Sequence, residues 1–249
     1  NADYYVSGRF YDQDGIYRVG DEKFRQLNAR AKGTVNITKW LTVENNTDFV
    51  RRSYHQPTTY AQNLLVRRNL EHQGFPITRV TNPDGTWTYA AVLNGYAGFA
   101  EGSSYQQDDK FTMKDKLGIE IDVVKDVLKI SGDLSYLFAR NKRERVTNMY
   151  TGYRGPDTPI TVNESQGSTL ENLRQDTNYL SSNIYGEYTP KLGDDHTLKL
   201  LAGWNLETKK YRGTTIKREG LTVPSKPSFG LMDGLTSDPV VSGYDWSYV

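Results

Sequence analysis

The feature that most restricts the fold of this chain is a long alternation of apolar and polar residues in the stretch FTMKDKLGIEIDVV, residues 111–124. Side chains alternate between the two faces of a β-strand, so this pattern predicts an unusually long strand. The apolar row contains Phe111, Met113, Leu117, Ile119, Ile121 and Val123, and the polar row contains Lys114, Lys116, Glu120 and Asp122. The apolar row either packs on a second sheet in a soluble sandwich or meets lipid in a transmembrane barrel.

The same alternation occurs in three units, each built around a tight polar turn. The first unit is KFRQLNARAKGTVNITKWLTVENNTDFV, with a turn near residues 37–39. The second joins residues 111–124 to KDVLKISGDLSYLFAR through a turn near Lys125 and Asp126. The third is DTNYLSSNIYGEYTPKLGDDHTLKLLAGWNLETKKY, with its turn at PKLGDD. An earlier strand, DYYVSGRFY, precedes these units, which are typical of β-hairpins.

The connections between the units are long and irregular, and they cover residues 52–109, 141–175 and 212–240, with a shorter one at residues 12–22. In an antiparallel meander, this alternation places all short turns at one end, as in outer-membrane barrels. The strands have about 11 to 14 residues, enough to cross a membrane, whereas ordinary strands have about 5 or 6. The sequence therefore favours an all-β antiparallel transmembrane β-barrel segment of about seven or eight strands with long extracellular loops. A soluble sandwich, a hairpin stack or a β-solenoid is the alternative.

Charge, cysteine content and hydropathy exclude several classes of function. The 31 basic and 30 acidic residues leave a formal net charge of +1, so no nucleic-acid partner is expected. The chain has no cysteine, which excludes a disulfide framework and Cys-ligated zinc. No run of about 18 apolar residues is present, which excludes a transmembrane helix. The first residues, NADYYVSGRF, lack a signal-peptide pattern, so we expect a mature piece or a fragment.

The search for catalytic or metal-binding residues is negative. His55, His72 and His196 are far apart and have no carboxylate at metal-site spacing. DQDG at 12–15 and NPDG at 82–85 are predicted to be turns, and the acid pairs at 108–109 and 194–195 to be solvated. The glycines of NGYAGFAEG do not follow a strand as a phosphate-binding loop requires, and they predict a flexible loop. The chain is therefore predicted not to be an enzyme and to hold no metal or cofactor.

The long connections are rich in aromatic residues, and the chain contains 18 tyrosines. Aromatic side chains beside polar groups can stack on sugar rings or pack against a partner protein, but they can also bury each other and so fix the shape of a loop. The sequence supports both interpretations equally. The candidate ligand or partner contacts are Tyr54, Tyr60, Trp87, Tyr89, Tyr96, Tyr105, Tyr150 and Tyr153.

Several stretches resemble the central barrel strands of SusC/RagA-type TonB-dependent outer-membrane transporters. They are DYYVSGRFYDQDGIYR, KFRQLNARAKGTVNITKWLTVENNTDF and YLSSNIYGEYTPKLGDDHTLKLLAGWNLE. In that family a YYVSGGY strand with a later glycine is followed by a strand beginning KF and a T-x-W-L turn. Residues 4–8, Gly15, Ile16, Lys23, Phe24, Arg30 and residues 39–41 match these elements, while Arg9 stands where a second glycine is common. The resemblance covers nearly the whole chain, and its motifs encode strands and turns rather than chemistry.

The resemblance implies that residues 1–249 are part of one barrel domain of a probable 22-stranded transporter whose plug domain is not present in this chain. It implies TonB-driven import of glycans or peptides through the outer membrane of a Gram-negative, Bacteroidota-type bacterium. The implied partners are a SusD-like surface lipoprotein, the rest of the barrel and its plug, the TonB complex, an oligosaccharide or peptide substrate and outer-membrane lipid. The alternative function is a soluble or surface-attached β-rich glycan-binding protein.

With the resemblance, the apolar row of residues 111–123 is assigned to lipid and the polar row to the plug-filled interior. Asp115 falls on the lipid row near the middle of the strand. We expect either a β-bulge that shifts the register at Asp115 or a position of this residue close to the outer rim.

Overall fold

Long antiparallel strands make up most of the structure, a computed structural model that describes residues 1–58, 77–155, 157–162, 167–193 and 196–249. The strands are β1 Ala2–Asp14, β2 Lys23–Asn36, β3 Leu41–Pro57, β4 Tyr105–Val124, β5 Leu128–Thr147, β6 Tyr150–Tyr153, β7 Pro159–Val162, β8 Thr169–Tyr188, β9 Leu200–Glu219 and β10 Val240–Tyr248. Eight of them form one sheet in the order β1-β2-β3-β4-β5-β8-β9-β10, and β6 pairs with β7 separately. The predicted all-β antiparallel meander is confirmed. Tyr60, His72, Asp194 and Asp195 lie outside the described residues.

The strand register places the two rows of β4 on opposite faces of the large sheet. Ile119 pairs with Val43 on one side and Gly132 on the other, whereas its neighbour Glu120 pairs with Thr42 and Ser131. Paired residues share a face, so the rows continue across the sheet. The apolar face carries Leu27, Phe49, Phe111, Met113, Leu117, Ile119, Leu134, Ile184 and Trp204. The polar face carries Arg30, Asp48, Lys114, Lys116, Glu120, Asp133, Asn183 and Asn205.

Short and long connections alternate along the sheet, as predicted. The short turns cover residues 37–40, 125–127 and 189–199, and the long connections cover residues 15–22, 58–104, 148–168 and 220–239. The exceptions in length are residues 189–199, which at eleven residues are longer than the predicted PKLGDD turn, and residues 15–22, which at eight residues form the shorter loop expected at the other end. Since every strand is antiparallel to its neighbours, all short turns lie at one end of the sheet and all long connections at the other. Asp126 has a φ of 61° in the tightest turn, a conformation that aspartate tolerates better than most residues.

The strands extend further toward the long connections than the sequence predicts. Residues 52–57, 105–109, 141–147, 169–175 and 212–219 were expected in loops and lie in strands, and DQDG continues β1 as far as Asp14 rather than forming a turn. The alternation of hydropathy stops there because both faces become polar, as where Gln107 pairs with Glu144. The backbone ladder does not depend on that alternation, and it continues without a break to Tyr105 and Val146.

The apolar face of the large sheet is uncovered in the described part of the chain. Met113 is 38% exposed, Leu117 40% and Ile119 42%. Apart from the large sheet, the only sheet among the described residues is the β6–β7 pair, which packs against a short helix at Tyr89–Leu93. The described residues therefore do not form a two-layered sandwich. None of their helices is long and apolar enough to cross a membrane.

The edge of the apolar face that points toward the long connections runs diagonally across the strands. On β1 the apolar row ends at Phe10, which is in register with Arg212 of β9 through the successive strand pairs. On β9 the apolar row ends at Leu206, six residues earlier (212 − 206 = 6). At about 3.4 Å per residue and about 4.8 Å between strands, this is an offset of about 20 Å across about 29 Å, or an angle of about 35°.

Asp115 is accommodated by its neighbours on β3 rather than by a bulge. The hydroxyl of Thr47 donates to Asp115 Oδ1 at 2.6 Å, and Asn45 Nδ2 donates to the same oxygen at 3.0 Å. The register shift between β4 and β5 lies at Asp122/Val124, so the bulge predicted at Asp115 is wrong. The rim position is also wrong, because Met113 and Phe111 continue the apolar row beyond Asp115.

Candidate functional site

Two short helices and the β6–β7 pair form a compact layer over the long-loop end of the sheet. The helices are α1, Tyr89–Leu93, and α2, Tyr96–Glu101. Thr88 Oγ1 accepts the backbone N–H of Ala91 at the start of α1, at 3.2 Å. Glycines with positive φ precede and follow α2, at Gly95 and Gly102. The glycine-rich stretch NGYAGFAEG, predicted to be a flexible loop, is therefore mostly helical, and two of its three glycines, Gly95 and Gly102, mark the ends of the helix.

We call residues 15–22, 77–104, 148–155 and 157–162 the loop platform. Its centre contains Val92, 1% exposed, Ala97, 0% exposed, and Tyr150, 4% exposed. Two glycines let the helices approach β6 closely: a Cβ on Gly98 would meet the Tyr150 ring at 2.9 Å, and a Cβ on Gly152 would meet Val92 Cγ2 at 2.9 Å. The two longest of these connections therefore pack as one unit.

The shorter connection at residues 15–22 joins the same unit. The ring of Tyr17 meets the ring of Phe99 edge-on, with 5.1 Å between centroids. Gly20, at a φ of +84°, lies against Phe99 and Pro57, where a Cβ would come within 2.9 Å of each side chain. Phe99 is 2% exposed and so connects residues 15–22 to α2 beneath the surface.

Tyr150, one of the predicted contact residues, is a core residue of the loop platform. Its hydroxyl lies 3.1 Å from Ser103 Oγ and its side chain packs with Val92 and Ala97. Burial raises the pKa of Tyr150, since the charged phenolate would lose its hydration. For this residue the geometry favours packing between loops over contact with a ligand.

Trp87, Tyr89, Tyr96 and Tyr153 are half-buried and lie together in the loop platform. Trp87 Nε1 donates to Glu101 Oε1, and its ring meets that of Tyr96 at 6.3 Å. The guanidinium of Arg154 stacks over the Tyr89 ring at 4.7 Å. Tyr153 donates its backbone N–H to the Trp87 carbonyl at 2.9 Å. These four aromatic residues are held in place and partly open to solvent, as a contact surface requires.

Tyr54 lies on β3 rather than in a loop, and it points to the polar face. Its hydroxyl donates to Glu22 Oε1, and its ring meets that of Phe24 edge-on at 6.2 Å. Burial, followed by the hydrogen bond to Glu22, raises the pKa of Tyr54. These residues line a groove of about 440 Å³ that also includes Gln13, Asp14, Gly15, Ile16 and Tyr17.

Tyr105 is also on a strand, at the start of β4, but on the apolar-face side of the sheet. Its hydroxyl donates to Glu144 Oε1 at 2.8 Å, and burial, together with this bond, raises the pKa of Tyr105. It packs against Val146 and Leu170, which are covered by the 220–239 connection through Leu221 and Met232. The structure therefore places Tyr54 and Tyr105 on opposite sides of the sheet.

A second aromatic group on the polar face was missed by the sequence analysis. Tyr211 and Tyr244 stack at 5.1 Å, and Tyr179 meets Trp246 edge-on at 6.3 Å. Lys209 Nζ lies 5.3 Å from the centre of the Tyr244 ring. We call these five residues the aromatic wall. The available signal was the alternation of Tyr244, Trp246 and Tyr248 along one face of β10.

Charged residues on the rest of the polar face pair across neighbouring strands. Lys116 Nζ lies 3.6 Å from Asp133 Oδ2, and Arg143 Nε lies 2.7 Å from Asp108 Oδ1. Solvated pairs of this kind contribute about 0–1 kcal/mol, so they make a wettable surface rather than a stabilising core. Among the described residues, no group of His, Asp and Glu side chains has the arrangement of a metal site.

An open antiparallel sheet with one apolar face, one polar face and long loops at one end is the architecture of a β-barrel wall segment. The solved structures that share this fold include three of RagAB. They are described as the RagAB peptide transporter (TM-score 0.64, 16% identity) and the RagAB peptide importer in the 'closed-closed' (0.59, 17%) and 'open-open' (0.61, 16%) states. Each match covers 99% of this chain and 27% of the other chain, so this chain spans about a quarter of its structural neighbours.

At this level of identity the likeness concerns the fold. It confirms the fold that the resemblance to SusC/RagA-type transporters implies, over nearly the whole chain. Protein-family models and curated proteins give no match to this sequence.

Proposed function

We propose that this chain forms part of the wall of an outer-membrane, SusC-like importer, with its apolar face against lipid and its polar face toward the interior. The observation that carries this proposal is the uncovered apolar face of a sheet whose opposite face is mostly polar. Soluble monomers rarely expose an apolar patch of this extent, and such a patch marks a membrane or protein contact. In the alternative, a soluble glycan-binding protein, a second layer would bury this face. The described residues contain no such layer.

The dimensions of the apolar face support a membrane location. The row on β4 runs from Phe111 to Ile121, ten residue steps (121 − 111 = 10). This is about 34 Å along the strand and about 28 Å along the barrel axis at the 35° angle of the apolar edge. Transmembrane barrels have strands tilted by about 35–45° and an apolar band about 25 Å tall.

In this orientation the loop platform lies on the extracellular side, where barrels carry their longer loops. The half-buried aromatic residues of the platform would contact a SusD-like lipoprotein, and the Tyr54 groove and the aromatic wall would contact substrate. The structural neighbours are described as peptide transporters, which favours a peptide over an oligosaccharide. The role is transport rather than catalysis, and the complete protein would supply the remaining strands, the plug and the link to the TonB complex.

The experiment is a pair of aspartate substitutions in the complete protein. Ile119→Asp places a charge against lipid and is expected to cost about 2 kcal/mol and to reduce assembly into the outer membrane. Ser135→Asp is the matched control, since Ser135 lies on the polar face opposite Lys116. Lys116→Asp is a poorer control, because Lys116 already pairs with Asp133. Equal amounts of heat-modifiable barrel in the membrane for both variants would contradict the proposal.

A further inference from the structure

A basic groove lies on the apolar-face side of the sheet, where the apolar rows of β3, β4 and β5 end. We define it by Arg51, Phe111, Phe138, Arg140 and Lys142. The groove has a volume of about 330 Å³ and is also lined by Arg52, Asp109 and Lys110. Its lining contains five basic residues and one acidic residue, Asp109, so positive charge dominates the groove.

Two of the three cations of the basic groove form no ion pair among the described residues, and one of them, Lys142, lies in register with Asp109. Arg51 and Lys142 are exposed and form no ion pair with any residue in the described part of the chain. Arg140 donates to Asp176 Oδ1 at 2.7 Å, and its guanidinium stacks over the Phe138 ring at 5.2 Å. The aromatic ring therefore holds a guanidinium in place beside two unpaired cations.

The basic groove lies at the boundary between the apolar and the polar part of this side. Arg51 and Arg140 are both in register with Phe111, the last residue of the apolar row of β4. Below them, Phe111 packs edge-on against Phe49 at 5.0 Å and lies 6.0 Å from Phe138. A ligand that fits this place has an anionic head and an apolar tail.

We propose that the basic groove binds the phosphate of an anionic lipid headgroup in the outer leaflet, with an acyl chain lying along Phe111 and Phe138. Guanidinium groups bind phosphate through paired hydrogen bonds, and a lysine adds a point charge. Basic residues near an anionic lipid surface each raise affinity by about fivefold. This proposal rests on the proposed membrane location, because it requires the apolar face to meet lipid.

The test uses the complete protein purified in detergent, with native mass spectrometry to measure bound lipid. The probes are phosphatidic acid, which carries a phosphate monoester, and diacylglycerol, which lacks it. R51Q/K142Q is expected to assemble normally and to bind phosphatidic acid about 25-fold more weakly than the parent protein. The control R9Q/K114Q removes one arginine and one lysine from the polar face and should bind like the parent.

Equal binding of phosphatidic acid by the two double variants would overturn the lipid site, as would equally tight binding of diacylglycerol by the parent. Displacement of the lipid by millimolar inorganic phosphate would also overturn it, since that result describes a site for free anions. Absence of the parent protein from the outer membrane would overturn the membrane location as well, and is detected separately by membrane fractionation.

Discussion

The loop platform packs closely because two of its positions, Gly98 and Gly152, are glycines. At Gly152 a Cβ would meet Val92 Cγ2 at 2.9 Å and the Thr88 carbonyl oxygen at 3.1 Å. The second contact is with backbone, which cannot rotate away as a side chain can. The smallest substitution at Gly152 must therefore separate β6 from α1.

Gly152→Ala is predicted to destabilise the loop platform by about 1–3 kcal/mol while the barrel remains folded. The measurement is limited proteolysis of the complete protein, with cleavage expected to increase within residues 77–104. Gly155→Ala in the same connection is the matched control, because a Cβ there meets only Thr158 Oγ1 at an ordinary 3.5 Å. Equal cleavage rates for the two variants would show that the close contact does not hold the platform together.

Asp115 illustrates how a residue that breaks a pattern can leave the strand unchanged. Its carboxylate has acceptors to satisfy, and Asn45 and Thr47 supply the donors from the neighbouring strand. The sequence placed Asp115 on the apolar row but could not identify its partners, since they lie 70 and 68 residues away. Satisfying the carboxylate across the sheet removes the need for a bulge.

Removing only the two donors to Asp115 is predicted to reduce the folding yield more than removing these donors together with the Asp115 carboxylate. Asn45→Leu with Thr47→Val leaves Asp115 unsatisfied, at an expected cost of about 1–3 kcal/mol. Adding Asp115→Leu should restore the folding yield to about that of the parent, since no polar atom then lacks a partner. The measurement is the heat-modifiable fraction after folding into lipid vesicles. A triple variant that folds no better than the double variant would contradict this account.

At the scale of strands and helices, the period-2 pattern predicted which strands exist and which face each side chain occupies. It predicted the lengths of the strands less well. The rows of β4 were assigned correctly because one face is apolar and any slip by one residue would reverse the faces. The ends of the strands were missed, since the paired backbone continues where both faces are polar. Helix α2 was missed because its six residues are too few to display a helical period.

The aromatic wall spans three strands and was missed because its members are separated in sequence. β8 supplies Tyr179, β9 supplies Lys209 and Tyr211, and β10 supplies Tyr244 and Trp246. Trp246→Ala with Tyr244→Ala is predicted to weaken peptide binding by the complete transporter about tenfold, through loss of two aromatic contacts. Val241→Ala on the opposite face of β10 is the control, measured by the same peptide titration. Equal peptide affinities of the double variant and the Val241→Ala control would show that the aromatic wall does not contact the substrate.

For the whole molecule, the sequence predicted the sheet, its two faces and the single end that carries the long loops. It did not predict that these loops pack into one platform, because the contacts of Phe99 and Tyr150 join segments from distant parts of the chain. Of the eight predicted contact residues, four are half-buried at the platform surface and Tyr150 is in its core. Tyr54 and Tyr105 lie on opposite faces of the sheet, and Tyr60 lies outside the described residues. The sequence does not distinguish these positions, because they depend on contacts between segments that are distant along the chain.

The central claim is that the apolar face meets lipid and the polar face meets water. The most direct measurement uses spin labels on single cysteines at positions 113, 114, 116, 117, 119 and 120 of the complete protein in membranes. This segment has no cysteine of its own, so each label is the only one in it. Positions 113, 117 and 119 should be most accessible to oxygen, which concentrates in lipid, and positions 114, 116 and 120 to a water-soluble nickel complex. Loss of this alternation, or its reversal, would contradict the account.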